Sequence, residues 1–230
     1  MSENHVKGTA ILVHGAFADG SLWNKVIPLL WKRGLDAVSV QLPLTSLSDD
    51  AATVRKAIKR IKGPVVLAGH SYGGAPVTAA SAGEASVKAL AFIAAIAPDK
   101  GETVGELFTR VAPHPKAQPL VPDEDGFIWM SAQGFRDAAA HEATPGETAL
   151  MAATQRPISV KCLTEPLAAP GWAEKPSWFL LATRDRQISP ETQRFMAERM
   201  KAHVDRQEVD HIPLVSAPEA VANFILRAAI

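Results

Sequence analysis

The sequence has little cysteine, no net charge and no long apolar run. Cys162 is the single cysteine among 230 residues, so an internal disulfide is excluded, and we predict a protein of the reducing cytoplasm. The 24 lysines and arginines balance the 24 aspartates and glutamates, giving a formal net charge of zero. Such a chain has no overall attraction for nucleic acid or for an anionic membrane, and we expect neither as a partner.

The longest apolar runs, such as ALAFIAAIA, are too short to span a bilayer. The N-terminal MSENHVKG contains no apolar signal core, so secretion is not expected. The sequence shows neither a phosphate-binding loop nor the paired cysteine and histidine spacing of a metal centre, and no metal site is predicted.

What the sequence does contain is an alternation of apolar strands and amphipathic helices. Residues 21–33 are predicted as a helix capped by Ser21, with a kink or a late start at Pro28. Ser48 is predicted to cap a second helix at 48–63. Further helices are predicted at about 72–83, 190–202 and 217–229, and strands at 9–14, 36–43, 64–71, 87–96, 176–183 and 203–209. This order is typical of an α/β protein with a mostly parallel sheet and helices on both faces.

Residues 99–174 interrupt the alternation with many prolines and isolated aromatic side chains. The stretch is too long for a plain connection, and LVPDEDGFIWM within it is typical of a small hairpin with an Asp-Gly turn. We interpret it as a small cap insertion within a single domain that spans 1–230.

The stretch LAGHSYGG places one serine between two glycines, directly after a predicted buried strand and before a helix. Gly-x-Ser-x-Gly in that context is typical of a nucleophile elbow, in which a tight turn exposes the serine at the carboxyl edge of the sheet. A chance match in a glycine-containing loop is the alternative. We predict that Ser71 is a nucleophile.

A serine hydroxyl needs a base, and the base needs an acid that holds its tautomer. His211 follows the last predicted strand and is the candidate base, while Asp185 follows the strand before it. Both strands end at the edge where Ser71 lies, and the order serine, aspartate, histidine is the one expected of the α/β-hydrolase fold. Asp99 also follows a strand and remains a competing acid. Asp210 neighbours the histidine, and its side chain is expected to point away from it.

The amide of Tyr72, at the start of a helix, is predicted to donate to an oxyanion. A second donor is expected from the loop HGAF after the first strand, from the amide of Ala16 or of Phe17. The side chains of Phe17, Trp129 and Phe135 are predicted to line a hydrophobic substrate pocket, with ordinary core packing as the alternative.

Four motifs, ILVHGAFADGSLW, LAGHSYGG, TRDRQISP and DHIPLVSAPEAVA, together resemble a branch of the α/β hydrolases. That branch contains plant methylesterases, hydroxynitrile lyases and bacterial carboxylesterases, and the resemblance is greatest to the bacterial carboxylesterases. It covers nearly the whole chain and leaves only the cap loosely matched. It implies a triad of Ser71, Asp185 and His211, an oxyanion loop at Ala16, and no metal or organic cofactor.

These observations favour a serine-dependent carboxylic-ester hydrolase that acts on a small to medium hydrophobic ester through an acyl-enzyme. A hydroxynitrile lyase on the same scaffold is one alternative, although the lysine and threonine of the family's lyases are replaced by Ile212 and Gly15. A small-molecule receptor with weak esterase activity is another. The sequence leaves the physiological ester undetermined and a homodimer open.

Overall fold

The computed structural model describes residues 8–229, and the N-terminal stretch on which the secretion prediction rests lies outside them. Within that range eight strands form, of which six belong to one sheet and two form a separate antiparallel pair. In chain order they are β1 (Thr9–Val13), β2 (Asp36–Val40), β3 (Val65–His70), β4 (Val87–Ile93), β5 (Phe127–Ile128), β6 (Ile158–Ser159), β7 (Ser177–Ala182) and β8 (His203–Gln207).

The large sheet has the strand order β2-β1-β3-β4-β7-β8, and all of its neighbouring strands are parallel. Every residue of β3 is buried, as expected for a strand covered on both faces. Each of the six strands predicted from sequence is present and ends one to three residues inside its predicted range. The predicted parallel sheet is confirmed.

Ten α-helices accompany these strands in the described residues. They are α1 (Ile27–Lys32), α2 (Leu47–Arg60), α3 (Gly74–Ser81), α4 (Val104–Phe108), α5 (Ala132–Gly134), α6 (Pro145–Thr154), α7 (Lys161–Thr164), α8 (Pro190–Arg199), α9 (Pro213–Ser216) and α10 (Pro218–Ala228). Short 3₁₀ turns occupy Gly20–Trp23, Ser71–Gly73 and Gly171–Ala173, and one π-helical turn occupies Phe135–Ala139. None of the helices between residues 8 and 229 has the length and apolar character needed to cross a bilayer.

Strand order explains why helices cover both faces of the sheet. The chain steps from β1 to β2 in one direction and then returns across β1 to β3 and β4 in the other. Because parallel crossovers are right-handed, α1 lies on one face, and α2 and α3 lie on the opposite face. The packing agrees, since α1 contacts α10 whereas α2 contacts α3.

Two of the predicted helix caps were wrong, whereas the predicted effect of a proline is confirmed. The helix predicted at 21–33 has the late start expected at Pro28: a 3₁₀ turn comes first, and α1 begins at Ile27 with Pro28 in its first turn, where its missing N–H costs nothing. Asp19, not Ser21, caps that turn. The N-cap of α2 is Ser46 rather than Ser48, since the Ser46 hydroxyl accepts from the amide of Asp49 at 3.1 Å. The last predicted helix is present as α10, and the short helix α9, which was not predicted, precedes it.

The stretch 99–174 contains α4 to α7 and the small sheet of β5 and β6. The predicted Asp-Gly turn is present: Gly126 has a φ of +79°, and the amide of Asp123 donates to the carbonyl of Phe127 at 2.7 Å. The strand after this turn also pairs with β6, about thirty residues further along the chain. That long-range pairing has no signal in the sequence.

Two buried histidines connect strand ends to distant loops. The ring of His14, just after β1, accepts at Nε2 from the amide of Leu42 at 3.0 Å. The ring of His70, at the end of β3, donates from Nε2 to the carbonyl of His211 at 2.7 Å. Burial lowers the pKa of His14 to about 4 and, together with the nearby His211 ring, lowers that of His70 to about 3. Both rings are therefore neutral in the folded protein near neutral pH.

We expect the stability of the fold to decrease as the pH falls from 7.5 to 5.5. Both histidines become protonated in the unfolded chain near pH 6.5 and remain neutral in the folded chain, so unfolding takes up protons. The free energy of unfolding should fall by roughly 1 kcal/mol for each histidine. The buried carboxyls of Asp50 and Asp210, whose pKa values are raised by desolvation, act in the opposite sense and reduce the fall.

Urea unfolding at the two pH values measures this difference. The variant His114→Gln, which removes an exposed histidine, serves as the control and should show the same pH dependence. A free energy of unfolding that stays constant or rises as the pH falls would contradict the prediction that the two histidines outweigh the two buried carboxyls.

A second prediction concerns the contact between α3 and the end of β4. A Cβ atom at Gly74 would lie 2.4 Å from the carbonyl oxygen of Ile96, whereas a Cβ at Gly146 in α6 would meet nothing within 4 Å. We expect Gly74→Ala to lower the free energy of unfolding by about 1–3 kcal/mol through overpacking. The matched variant Gly146→Ala should raise it by about 0.5–1 kcal/mol, because alanine favours the helix. Equal melting temperatures for the two variants would contradict this contact.

Candidate active site

Ser71 lies at the turn between β3 and α3. Its backbone φ is +53°, a left-handed conformation that residues other than glycine rarely adopt. The turn is tight because its two flanking glycines touch backbone. A Cβ at Gly69 would lie 2.7 Å from the carbonyl oxygen of Gly73, and a Cβ at Gly73 would lie 2.5 Å from that of His14. The carbonyl of Ser71 also accepts from the amide of Ile96 at 3.0 Å, which fixes the turn against the end of β4.

Three side chains predicted from sequence meet at this edge of the sheet. His211 Nε2 lies 2.8 Å from Ser71 Oγ, and His211 Nδ1 lies 2.7 Å from Asp185 Oδ2. Asp185 and His211 are both buried. They follow β7 and β8 respectively, so parallel strands bring residues 140 positions apart into one hydrogen-bonded chain.

The carboxylate of Asp185 is held by more than the histidine. Its Oδ1 accepts from the amides of Gln187 at 2.7 Å and Ile188 at 2.9 Å, and its Oδ2 accepts from Gln193 Nε2 at 2.8 Å. These donors fix the orientation of the carboxylate toward His211 Nδ1. A proton on Nδ1 leaves Nε2 free to accept from the Ser71 hydroxyl.

The two competing aspartates point elsewhere. Asp99 Oδ1 accepts from the amide of Lys100 at 2.7 Å, within its own turn. Asp210 accepts from the amide of Glu142 at 2.9 Å and from the hydroxyl of Ser216 at 2.8 Å. Asp210 therefore connects the cap to the loop that carries His211 and does not contact the imidazole.

The loop after β1 passes beside the serine. His14 Nδ1 donates to the carbonyl oxygen of Gly15 at 2.8 Å, on the buried side of the loop. Because the peptide unit is planar and trans, the amide of Ala16 points away from that buried side. Ala16, Phe17 and Tyr72, which carry the predicted oxyanion donors, all line the cavity at Ser71. Phe17 has a φ of +59°, so this loop, like the serine turn, contains a left-handed residue.

The Tyr72 side chain takes part in a buried contact that sequence reasoning missed. Its hydroxyl donates to Asp50 Oδ2 at 2.6 Å, and Asp50 Oδ1 accepts from the amide of Leu44 at 2.8 Å. Cys162 Sγ lies 3.7 Å from the same carboxylate, and burial raises the pKa of this thiol to about 12. The protonated thiol is a weak donor to the carboxylate. Asp50 therefore joins α2, the serine turn and the cap.

A cavity of about 260 Å³ lies above Ser71 and His211. Residues of the cap (99–174) and of the rest of the chain, here called the body, both line it. Most of these side chains are apolar, and they include Phe17, Ile96, Phe108, Met130, Phe135 and Ile212. The predicted Phe17 and Phe135 are thus on its wall. Trp129 is not: its side chain is 49% exposed, and its Nε1 donates to Asp123 at 3.0 Å beside the Asp-Gly turn. Trp129 directly follows the short strand β5, and the sequence could not show to which side its side chain points.

Two partly exposed residues of opposite charge, Lys25 and Glu147, also line the cavity. The Lys25 ammonium pairs with the carboxylate of Glu147 in the cap and donates to the carbonyl of Val215 at 3.0 Å. This bridge connects the body, the cap and α9, which follows His211. Across residues 8–229, no three histidine, cysteine, aspartate or glutamate side chains are grouped closely enough to hold a metal ion.

Curated proteins similar to this chain are aligned along almost its full length. The alpha/beta hydrolase nvfD of Aspergillus novofumigatus is 27% identical, with 97% of each chain covered. Methylesterase 1 of Arabidopsis thaliana is 23% identical, with 100% of this chain and 98% of the relative covered.

Solved structures show the same fold. Polyneuridine aldehyde esterase superposes with a TM-score of 0.85 at 18% identity, covering 97% of this chain and 99% of that one. A pyrethroid hydrolase from Sphingobium faniae superposes with a TM-score of 0.82 at 22% identity, covering 96% and 97%. The family model described as "Alpha/beta hydrolase family" matches residues 10–224. With nearly all of its sheet, its serine turn and its strand-end side chains inside that match, the chain belongs to the alpha/beta hydrolase family.

Proposed function

We propose that the protein is a serine-dependent carboxylic-ester hydrolase that acts on a small to medium hydrophobic ester. The continuous hydrogen-bonded chain from Ser71 Oγ through His211 to Asp185, opening into an apolar cavity, is the observation that carries the proposal. Esterases and methylesterases among the similar proteins support the same reaction class.

In the proposed mechanism, Ser71 Oγ attacks the ester carbonyl carbon while its proton passes to His211 Nε2. The amides of Tyr72 and Ala16, with Phe17 as the neighbouring donor, stabilise the oxyanion of the tetrahedral intermediate. His211 returns the proton to the departing alkoxide, and an acyl-enzyme remains. Water then attacks the acyl carbon, again giving its proton to His211, and the carboxylic acid leaves as the Ser71 hydroxyl is restored.

The cavity supports a restriction on substrate size and polarity. About 260 Å³ lies just below the range of pockets that hold drug-sized ligands, so one small ester fills it. When an alkyl or aryl group enters, apolar surface of the group and of the cavity walls is removed from water, which favours the binding of hydrophobic esters.

Hydroxynitrile lyase chemistry on this scaffold is disfavoured by two positions. Ile212, in place of a lysine, presents an apolar side chain to the cavity and gives departing cyanide no positive charge. A Cβ at Gly15 would lie 2.8 Å from the Cβ of Ser71, so a threonine there would require the serine turn to move. A small-molecule receptor would not need a carboxylate that orients the histidine. Asp185 nevertheless accepts from four protein donors, one of which is His211, and this favours the hydrolase over the receptor.

Substitutions in the hydrogen-bonded chain test the proposed mechanism. Ser71→Ala should lower kcat for p-nitrophenyl butanoate by about 10⁶-fold, the scale for loss of a triad serine. Asp185→Asn should lower it by about 10⁴-fold, because the amide favours the wrong histidine tautomer. Circular dichroism and thermal melting should show that both variants are folded.

Asp99→Asn is the matched control and should keep nearly full activity, since the Asp99 carboxylate accepts from the amide of Lys100 within its own turn. An inactive Asp99→Asn beside an active Asp185→Asn would overturn the assignment of the acid. The wild-type enzyme should release no more cyanide from mandelonitrile than the Ser71→Ala variant does. Serine-dependent cyanide release comparable with ester turnover would contradict the hydrolase.

A further inference from the structure

Asp210 is a fully buried carboxylate that the proposed mechanism does not use. It directly precedes His211, and its Oδ1 accepts from the amide of Ile212 at 3.2 Å. An aspartate that binds the amide two residues further on forms an Asx-turn, which behaves like a turn of the main chain. The middle residue of this turn is His211, so the turn restricts the main chain of the proposed base itself.

The peptide unit between His211 and Ile212 is held at both of its polar groups. Its N–H donates to Asp210, and its carbonyl oxygen accepts from His70 Nε2 at 2.7 Å. Because a peptide unit is planar, contacts at these two groups together fix its orientation. His70 ends the strand that leads into Ser71, so this peptide is connected to the nucleophile on one side and to Asp210 on the other.

The Asp210 carboxylate is itself fixed by two further donors. Its Oδ2 accepts from the amide of Glu142 in the cap at 2.9 Å, and its Oδ1 accepts from the hydroxyl of Ser216 in α9 at 2.8 Å. The Glu142 carboxylate also accepts from Arg184 at 2.9 Å, next to the acid Asp185. The cap therefore contacts the segments that carry both the acid and the base.

We propose that Asp210 is a positioning residue, which fixes the main chain that carries the His211 imidazole at its reacting distances. This inference rests on the proposed ester hydrolysis and adds a residue that acts through the base. The imidazole must lie 2.8 Å from Ser71 Oγ and 2.7 Å from Asp185 Oδ2 at the same time. A misplacement of about 1 Å can lower a rate by about 10²-fold, so a loosened main chain at His211 should slow the reaction.

Esters with different leaving groups distinguish a misplaced base from a loss of folded enzyme. Ethoxide needs a proton from His211 as it departs, whereas p-nitrophenolate is stable enough to leave without one. A misplaced imidazole therefore lowers kcat/KM for ethyl butanoate more than kcat/KM for p-nitrophenyl butanoate. A smaller fraction of folded enzyme lowers both equally. The readout is the ratio of the two kcat/KM values, p-nitrophenyl ester over ethyl ester, with ethyl butanoate followed by pH-stat titration.

The variant Asp210→Asn keeps the shape of the side chain, but its amide has one acceptor oxygen where the carboxylate has two. We expect kcat/KM for ethyl butanoate to fall by about 10²-fold. The ratio should rise by about tenfold, a fraction of the roughly 10²–10⁴-fold contribution of general acid catalysis. Asp210→Ala removes every acceptor and should raise the ratio further. Ser216→Ala removes one donor from the carboxylate, and the ratio should rise by a few-fold.

Ile58→Val is the control for a loss of stability alone. Ile58 is buried near the end of α2, and α2 ends just before β3 begins, so this side chain lies toward the amino edge of the sheet, away from Ser71. The variant should lower the melting temperature by removing a buried methyl group. Its ratio should remain at the wild-type value.

A ratio that stays at the wild-type value in the folded Asp210 variants would overturn the inference, even if both kcat/KM values fall. If circular dichroism shows that neither Asp210 variant folds, Ser216→Ala decides, and an unchanged ratio in that variant would overturn the inference. Failure of the proposed function gives a different result, in which the wild-type enzyme hydrolyses neither ester above the Ser71→Ala blank.

Discussion

The left-handed backbone of Ser71 is the constraint on which the arrangement of the site depends. A non-glycine residue in that conformation costs about 1–2 kcal/mol, and the fold maintains it because the surrounding backbone leaves no room to relax. Gly69 and Gly73 allow main-chain contacts that no side chain could enter, and the amide of Ile96 holds the serine carbonyl. The strained turn projects the hydroxyl to within 2.8 Å of His211, so strain and site geometry have one origin.

Buried polar contacts extend this constraint from the serine turn to the cap. Asp50 binds the Tyr72 hydroxyl directly beside the nucleophile and also approaches Cys162 in the cap. Asp210 performs a similar function next to His211 by binding the amide of Glu142. Since an unpaired carboxylate would be costly in the interior, each of these contacts favours a single placement of cap on body. Because residues of both the body and the cap form the cavity walls, a fixed placement of the cap gives the cavity a defined shape.

The sequence was sufficient to predict the sheet and the residues that gather at its carboxyl edge, because apolar strand patterns and the glycine-serine turn are local signals. Contacts between distant segments had no such signal. Asp50 belongs to the first turn of α2, a position typical of an exposed helix-dipole charge, and only the folded chain brings it to Tyr72. Trp129 was placed wrongly because cap residues lack a periodicity that assigns them a face.

The central claim is that the strained Ser71 is a nucleophile activated by His211, and covalent labelling tests it most directly. An alkyl fluorophosphonate reacts with an activated serine hydroxyl and forms a stable analogue of the tetrahedral intermediate. Mass spectrometry of the intact protein should show one phosphonyl group per chain, peptide mapping should locate it on Ser71, and Ser71→Ala should remain unlabelled. A wild-type enzyme that hydrolyses esters yet carries the label on another residue, or stays unlabelled and active in excess reagent, would contradict the account.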